Sequence, residues 1–130
     1  MTMELGCKGR AETVVTPEKT AKTAGSGALD VFATPFMAAL MEEAAWTSIQ
    51  PYLEDGQGSV GIALKLTHDA ATPVGMKVWA ESTVTAINGQ KVSFSITAYD
   101  ETGVIGTCDH QRAIIDNEKF FTRCQNKLSH

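Results

Sequence analysis

Apolar positions along this chain follow two periods, and the switch falls in the loop Glu54-Asp55-Gly56-Gln57-Gly58. Before it the repeat is helical. At 100° per residue, Phe36, Met37, Leu40, Met41, Ala44, Ala45 and Ser48 share one broad face, with Ala39, Glu43, Trp46 and Gln50 opposite. That second face is not strongly polar, so both sides of the helix can be covered. Thr34 is a favoured N-cap, and Pro35 suits the first helical position, where its missing N–H costs nothing. Pro51 stops the helix. Beyond the loop the period is two. Val60, Ile62, Leu64 and Leu66 alternate with Gly61, Ala63, Lys65 and Thr67, predicting a half-buried strand that ends at His68. Further strands are predicted over 76–87, 91–99 and 104–115. Asn88-Gly89 is a preferred pair for a type I′ hairpin turn, and Asp100-Glu101-Thr102-Gly103 turns the chain again. Upstream, Ala11 to Thr16 reads as a short strand stopped by Pro17. Lys22 to Asp30, rich in Gly, Ala, Ser and Thr, reads as a mobile loop. The order strand, helix, then four strands predicts an α+β fold, an antiparallel sheet whose apolar face is covered by one helix.

Composition narrows the classes. A chain of 130 residues, 43% hydrophobic and 20% charged, is expected to form a single domain over 1–130 with one core. The formal charge is −4 with dispersed cations, which argues against a nucleic-acid partner. No apolar run approaches the ~18 residues of a membrane span, and the N-terminus lacks a signal-peptide core, so no membrane partner is expected. Cys7, Cys108 and Cys124 form no CxxC pair and cannot all pair together, so reduced thiols in a cytoplasmic protein are expected. No metal-ligand spacing is present, and no cofactor is expected.

The candidate chemistry is a hydroxyl, an acid and an imidazole, the groups from which acyl-transfer and hydrolytic sites are built. Thr34 opens the helix, where unpaired N–H groups offer positive potential to a developing oxyanion. Glu42 lies at the edge of the apolar face, partly removed from water, whereas Glu43 points away. Eight helical residues put ~12 Å between Thr34 and Glu42, so they cannot touch on one straight helix. An irregular helix start, a site shared by two subunits, or a substrate spanning the gap would each resolve this. His68 ends a strand at a loop, a usual place for a catalytic group. His110 lies within a strand and is assigned to packing or hydrogen bonding; His130 is terminal.

Several segments occur in an order that resembles a known family. They are Phe32-Ala33-Thr34-Pro35 with Leu40-Met41-Glu42, Gly58-Ser59-Val60-Gly61, Thr67-His68-Asp69-Ala70-Ala71-Thr72-Pro73, Asp100-Glu101-Thr102-Gly103 and His110-Gln111-Arg112-Ala113-Ile114-Ile115. Together, over about residues 10–127, they resemble the fluoroacetyl-CoA thioesterase-like branch of hotdog proteins. The resemblance implies a hotdog fold, an antiparallel sheet wrapped around one long central helix. It also implies hydrolysis of an acyl-CoA thioester by a homodimer with active sites along the subunit interface. Coenzyme A would then be part of the substrate.

The positions matching the family's catalytic group are Thr34, Glu42 and His68. Gly61 matches a glycine that helps hold the thioester carbonyl or acyl group, and Arg112 matches an arginine of the same region. Phe32 and Phe36 are assigned to substrate binding. The family member specific for fluoroacetyl-CoA carries lid phenylalanines just before the motif. Here Gly25-Ser26-Gly27-Ala28-Leu29-Asp30 holds no aromatic residue, so a different or broader acyl-CoA substrate is expected. Lys119, Arg123 and Lys127 would form one basic edge if helical and are candidates for the CoA phosphates, with Arg112 and Lys77 as others. The competing reading is a non-catalytic acyl-CoA-binding hotdog protein, which would need none of Thr34, Glu42 and His68.

Overall fold

The computed structural model describes residues 3–129, so His130 lies outside it. Five strands form one antiparallel sheet: β1 (Lys8–Val14), β2 (Gln57–His68), β3 (Lys77–Asn88), β4 (Lys91–Asp100) and β5 (Gly103–Asp116). Their order across the sheet is β1-β3-β4-β5-β2. The sheet curls around the long helix α2 (Thr34–Ile49); α1 (Ala21–Ala24) is a single turn and α3 (Asn117–Gln125) follows β5. Met37, Leu40, Met41, Ala44, Ala45 and Ile49 of α2 are buried. They meet inner-face residues such as Val78, Val92, Phe94, Ile96 and Ile105. Each large apolar side chain buried this fully contributes about 1.5–3 kcal/mol. The period-two reading of β4 holds throughout, with Val92, Phe94, Ile96 and Ala98 all buried.

Four local readings need correction. β1 starts at Lys8, earlier than predicted, because its backbone ladder to β3 runs from Lys8↔Thr83 to Val14↔Lys77 irrespective of side-chain pattern. The segment read as a loop from Lys22 begins inside α1, where the Thr20 hydroxyl accepts from the Thr23 N–H and Gly25 closes the turn at φ 78°. The β3–β4 connection is Gly89-Gln90, between the paired Asn88 and Lys91. Within this connection positive φ occurs at Gly89 and not at Gln90, which suits a type II′ turn with glycine first rather than type I′. Finally, β2 is not half-buried as its alternation suggests. It is an edge strand whose Ile62 and Leu64 are 46% and 38% exposed. Its register against β5 shifts between Gly61 and Ala63, so Ile62 sits in a bulge.

Candidate active site

Thr34 is not the N-cap. Ala33 holds that position without a capping side chain, and Thr34 is the first residue of α2. Its hydroxyl is therefore free to leave the helix, and Oγ1 lies 2.7 Å from His68 Nδ1. Two chain segments are stapled together to make this contact. The Phe32 N–H donates to the Thr72 carbonyl at 2.8 Å, and Val31 bridges Pro73. Thr72 is itself anchored, its hydroxyl donating to Asp100 Oδ2 at 2.7 Å. Asp100 Oδ1 accepts from the Thr102 N–H and hydroxyl. Burial pushes the Asp100 carboxyl up, but these bonds outweigh it and hold it below the usual carboxylate range. On the other side, Phe32 meets the His68 ring edge-on at 6.4 Å. Removal from water holds the His68 imidazole below its ordinary value, so the neutral ring is favoured at neutral pH. His68 Nε2 is buried and has no hydrogen-bond partner among the described residues. A cleft of about 220 Å³ opens beside the pair, lined by Ala21, Ser26, Val31, Phe32, Ala70 and Ala71 among others.

Glu42 stands in a second cluster. Arg112 Nη1 donates to Glu42 Oε2 at 3.1 Å, while Arg112 Nε and Nη2 donate to the Ser59 hydroxyl and carbonyl at 2.8 and 3.0 Å. His110 Nε2 lies 3.1 Å from Arg112 Nη1 and 3.9 Å from Glu42 Oε2. Gly61 makes this approach possible, because a Cβ there would lie 2.5 Å from Glu42 Oε2. Burial lowers the Arg112 guanidinium from its ordinary value, against the opposing pull of Glu42. Glu42, Gly61 and Arg112 are thus brought together, and so are Thr34 and His68. α2 runs unbroken over Thr34–Ile49, so the ~12 Å between Thr34 and Glu42 remains within one protomer.

The other candidates divide. Phe32 lines the Thr34–His68 cleft. Phe36 instead lines a neighbouring cleft of about 180 Å³ with Glu12, Lys19, Leu40 and Glu43, so it is not brought to the hydroxyl–imidazole pair. Lys119 and Arg123 lie on α3, Lys127 in the turn after it, and all three are exposed; none lines the cleft beside His68. Arg112 is committed to Glu42 and Ser59, which removes it as a phosphate ligand, and Lys77 pairs with Glu12 at 3.6 Å. Cys108 is buried and its thiol is pushed up to about 11, mainly by loss of hydration, as expected of an inert cysteine. No group of three or more His, Cys, Asp or Glu placed to hold a metal occurs among the described residues.

His110 and Ser59 were missed as parts of the site. A signal existed for His110: residues two apart in a strand face the same side, so His110 had to share Arg112's face. Ser59 carried no comparable mark beyond its place beside Gly58.

Residues 15–118 match the sequence profile of the family described as fluoroacetyl-CoA-specific thioesterase. The fluoroacetyl-CoA thioesterase of Streptantibioticus cattleyicolor is 42% identical over 98 residues, 75% of this chain and 70% of that protein. The crystal structure of the fluoroacetyl-CoA thioesterase FlK superposes with a TM-score of 0.92 at 36% identity, covering 98% of both chains. A hot-dog-like protein from Thermanaerovibrio acidaminovorans, 21% identical, shares the fold with a TM-score of 0.86 over 96% of this chain and 93% of its own.

Proposed function

We propose that this chain, which belongs to the fluoroacetyl-CoA-specific thioesterase family and has its hotdog fold, hydrolyses an acyl-CoA thioester to the free acid and CoA. The observation that carries the reading is the pairing of the Thr34 hydroxyl with His68 at 2.7 Å beside an open cleft. A hydroxyl-bound neutral imidazole is a general base poised for proton transfer near neutral pH. The Thr34 backbone N–H, which has no hydrogen-bond partner among the described residues, polarises the thioester carbonyl, while the Thr34 hydroxyl holds the imidazole.

The ~12 Å between Thr34 and Glu42 is bridged in this reading by a second copy of the chain. The exposed Ile62 and Leu64 of edge strand β2 support a homodimer, because a strand edge with apolar side chains is the kind of surface another chain covers. Each active site then lies along the subunit interface. Arg112 holds Glu42 Oε2, and among the described residues Glu42 Oε1 receives no hydrogen bond, which leaves that oxygen to attack. A Glu42 oxygen adds to the carbonyl carbon, the C–S bond breaks and CoA leaves as the thiolate. Water, its proton taken by His68, then cleaves the resulting anhydride to release the acid and regenerate Glu42.

The cleft beside His68 has no aromatic roof, since Gly25 to Asp30 supplies none, so acyl groups larger than fluoroacetyl are admitted. Lys119, Arg123 and Lys127 would meet the CoA phosphates only across the dimer. No helix among the described residues is long and apolar enough to cross a membrane, and a cytoplasmic setting fits three free cysteines.

The test is thiol release from short, branched, aromatic and long acyl-CoAs. Glu42→Ala and His68→Ala are each expected to lower turnover by about 10²–10⁴-fold. Multiple turnovers in ¹⁸O-water should place label in the Glu42 carboxylate when water opens the anhydride at the Glu42 carbonyl, and hydroxylamine should trap a Glu42 hydroxamate. Neither label in Glu42 nor a hydroxamate there would replace the covalent route with direct attack by water. Saturable binding of acyl-CoAs without any thiol release would identify a binder instead of an enzyme.

A further inference from the structure

We propose that His110 is a positioning residue for this reaction, holding Arg112, and through it Glu42, as a neutral ring with its proton on Nδ1. The inference rests on the reading of Glu42 as a reacting group. The tautomer follows from its neighbours. Nδ1 lies 2.8 Å from the Ala63 carbonyl, which can only accept, so Nδ1 carries the hydrogen. Nε2 lies 3.1 Å from Arg112 Nη1, which can only donate, so Nε2 presents its lone pair. Both requirements are met by one neutral tautomer and by no other state of the ring.

The ring has little freedom to do otherwise. His110 is 2% exposed and stacks on Phe94 of β4 with ring centroids 5.8 Å apart. β2 contributes the Ala63 carbonyl next to the bulge at Ile62. The charged groups facing it are Glu42 from α2 and Arg112 from its own strand. Burial holds the imidazole below its ordinary value, with Arg112 acting in the same direction and the Ala63 carbonyl and Glu42 opposing it.

The consequence concerns Arg112 Nη1, which has two hydrogens. One goes to Glu42 Oε2 and the other to His110 Nε2, each at 3.1 Å. Nε and Nη2 are fixed by Ser59, so the guanidinium is held through all three nitrogens and cannot turn away from the carboxylate. A doubly protonated His110 would set an N–H against an N–H of Arg112. It would also stand 3.9 Å from Glu42 Oε2, close enough to draw the carboxylate from arginine to imidazolium. Glu42 would then be displaced from the position in which it reacts.

Two measurements test this. Ring ¹⁵N signals of His110 at pH 7 should show a protonated Nδ1 and an unprotonated Nε2. In His110→Leu, kcat should fall about 10–100-fold with KM little changed, the range usual when a group orienting a reacting side chain is lost. His110→Gln, which keeps an amide acceptor and donor, should recover part of that loss. It should also lack any acid limb that titrates with the His110 ring. Melting temperatures of both variants separate misfolding from mispositioning. An Nε2–H or doubly protonated ring at pH 7 overturns the proposal. So does a folded His110→Leu with wild-type kcat. If the wild type hydrolyses no acyl-CoA, the thioesterase reading fails by itself. The ring signals, and a shift of the Arg112 Nε–H resonance in His110→Leu, still decide whether His110 holds Arg112; an unmoved resonance overturns it.

Discussion

Gly61 faces the Glu42 carboxylate so closely that a methyl group there would sit 2.5 Å from Oε2. The obstacle meets the far end of a flexible side chain, so Gly61→Ala should fold but push Glu42 off Arg112. We expect turnover to fall by about 10²-fold, the usual scale for an ångström of misplacement, with a melting temperature near wild type. Unchanged turnover would remove Glu42's placement from the mechanism. Thr34 shows how far single residues could be read from sequence. Its hydroxyl, its helix-start position and the nearby His68 were all legible, yet the N-cap role was wrong. Ala33 takes the cap position because the entering chain is already bonded, Ala33 N–H donating to the Lys19 carbonyl at 2.9 Å. A cap is decided by the path of the incoming chain, which local propensity does not encode. The cluster around Arg112 was half legible. Arg112 followed from the family motif, whereas Ser59 came to it through strand pairing alone, Gly61 being opposite Arg112 in the ladder.

At the level of elements, period-two patterning located β3, β4 and β5 to within one residue at each end, because their buried faces must alternate; β2, whose alternation does not follow its burial, starts three residues before Val60. Patterning could not say that β2 lies at the edge, since order across a sheet depends on long-range pairing. The segment joining β2 to β3 has a structural task that its sequence hides. Through Thr72 it ties the His68 end of β2 to the Phe32 approach to α2, and Asp100 anchors Thr72 from the β4–β5 turn. Asp100→Ala leaves the buried Thr72 hydroxyl and the Thr102 N–H without their acceptor. We expect a loss of about 2–3 kcal/mol in urea unfolding, with turnover reduced beyond what the unfolded fraction explains. Wild-type stability in that variant would show that the segment is held by its backbone bonds alone.

Across the whole molecule, large apolar side chains stand exposed at several places, β2 and α3 among them. Ile62 and Leu64 are exposed on β2, and Phe120, Phe121 and Leu128 are 41%, 62% and 85% exposed on and after α3. Leu64→Glu should shift the protein toward monomer in sedimentation and abolish thiol release while the fold persists. A fully active monomeric wild type would contradict a shared site. Acid should also weaken the fold. His68 and His110 are both held below their ordinary value by burial, so near and below pH 6.5 the unfolded chain binds more protons than the native one. Their contribution to stability is present above that pH and is lost as the pH falls toward the folded values. Urea midpoints at pH 7.5, 6.0 and 5.0 should decline in that order, and a flat series would contradict the burial of neutral rings. The entrance loop stands apart from all of this. Residues 25–30 are exposed and tied down by little more than Ser26 N–H to Ala21 and Lys22 N–H to Leu29. The reacting groups, by contrast, hang from a helix and strands that the core fixes. In the proposed reading, mutation of the entrance loop can therefore reshape which acyl group is accepted without touching how it is cleaved, so the two traits can drift or be bred separately.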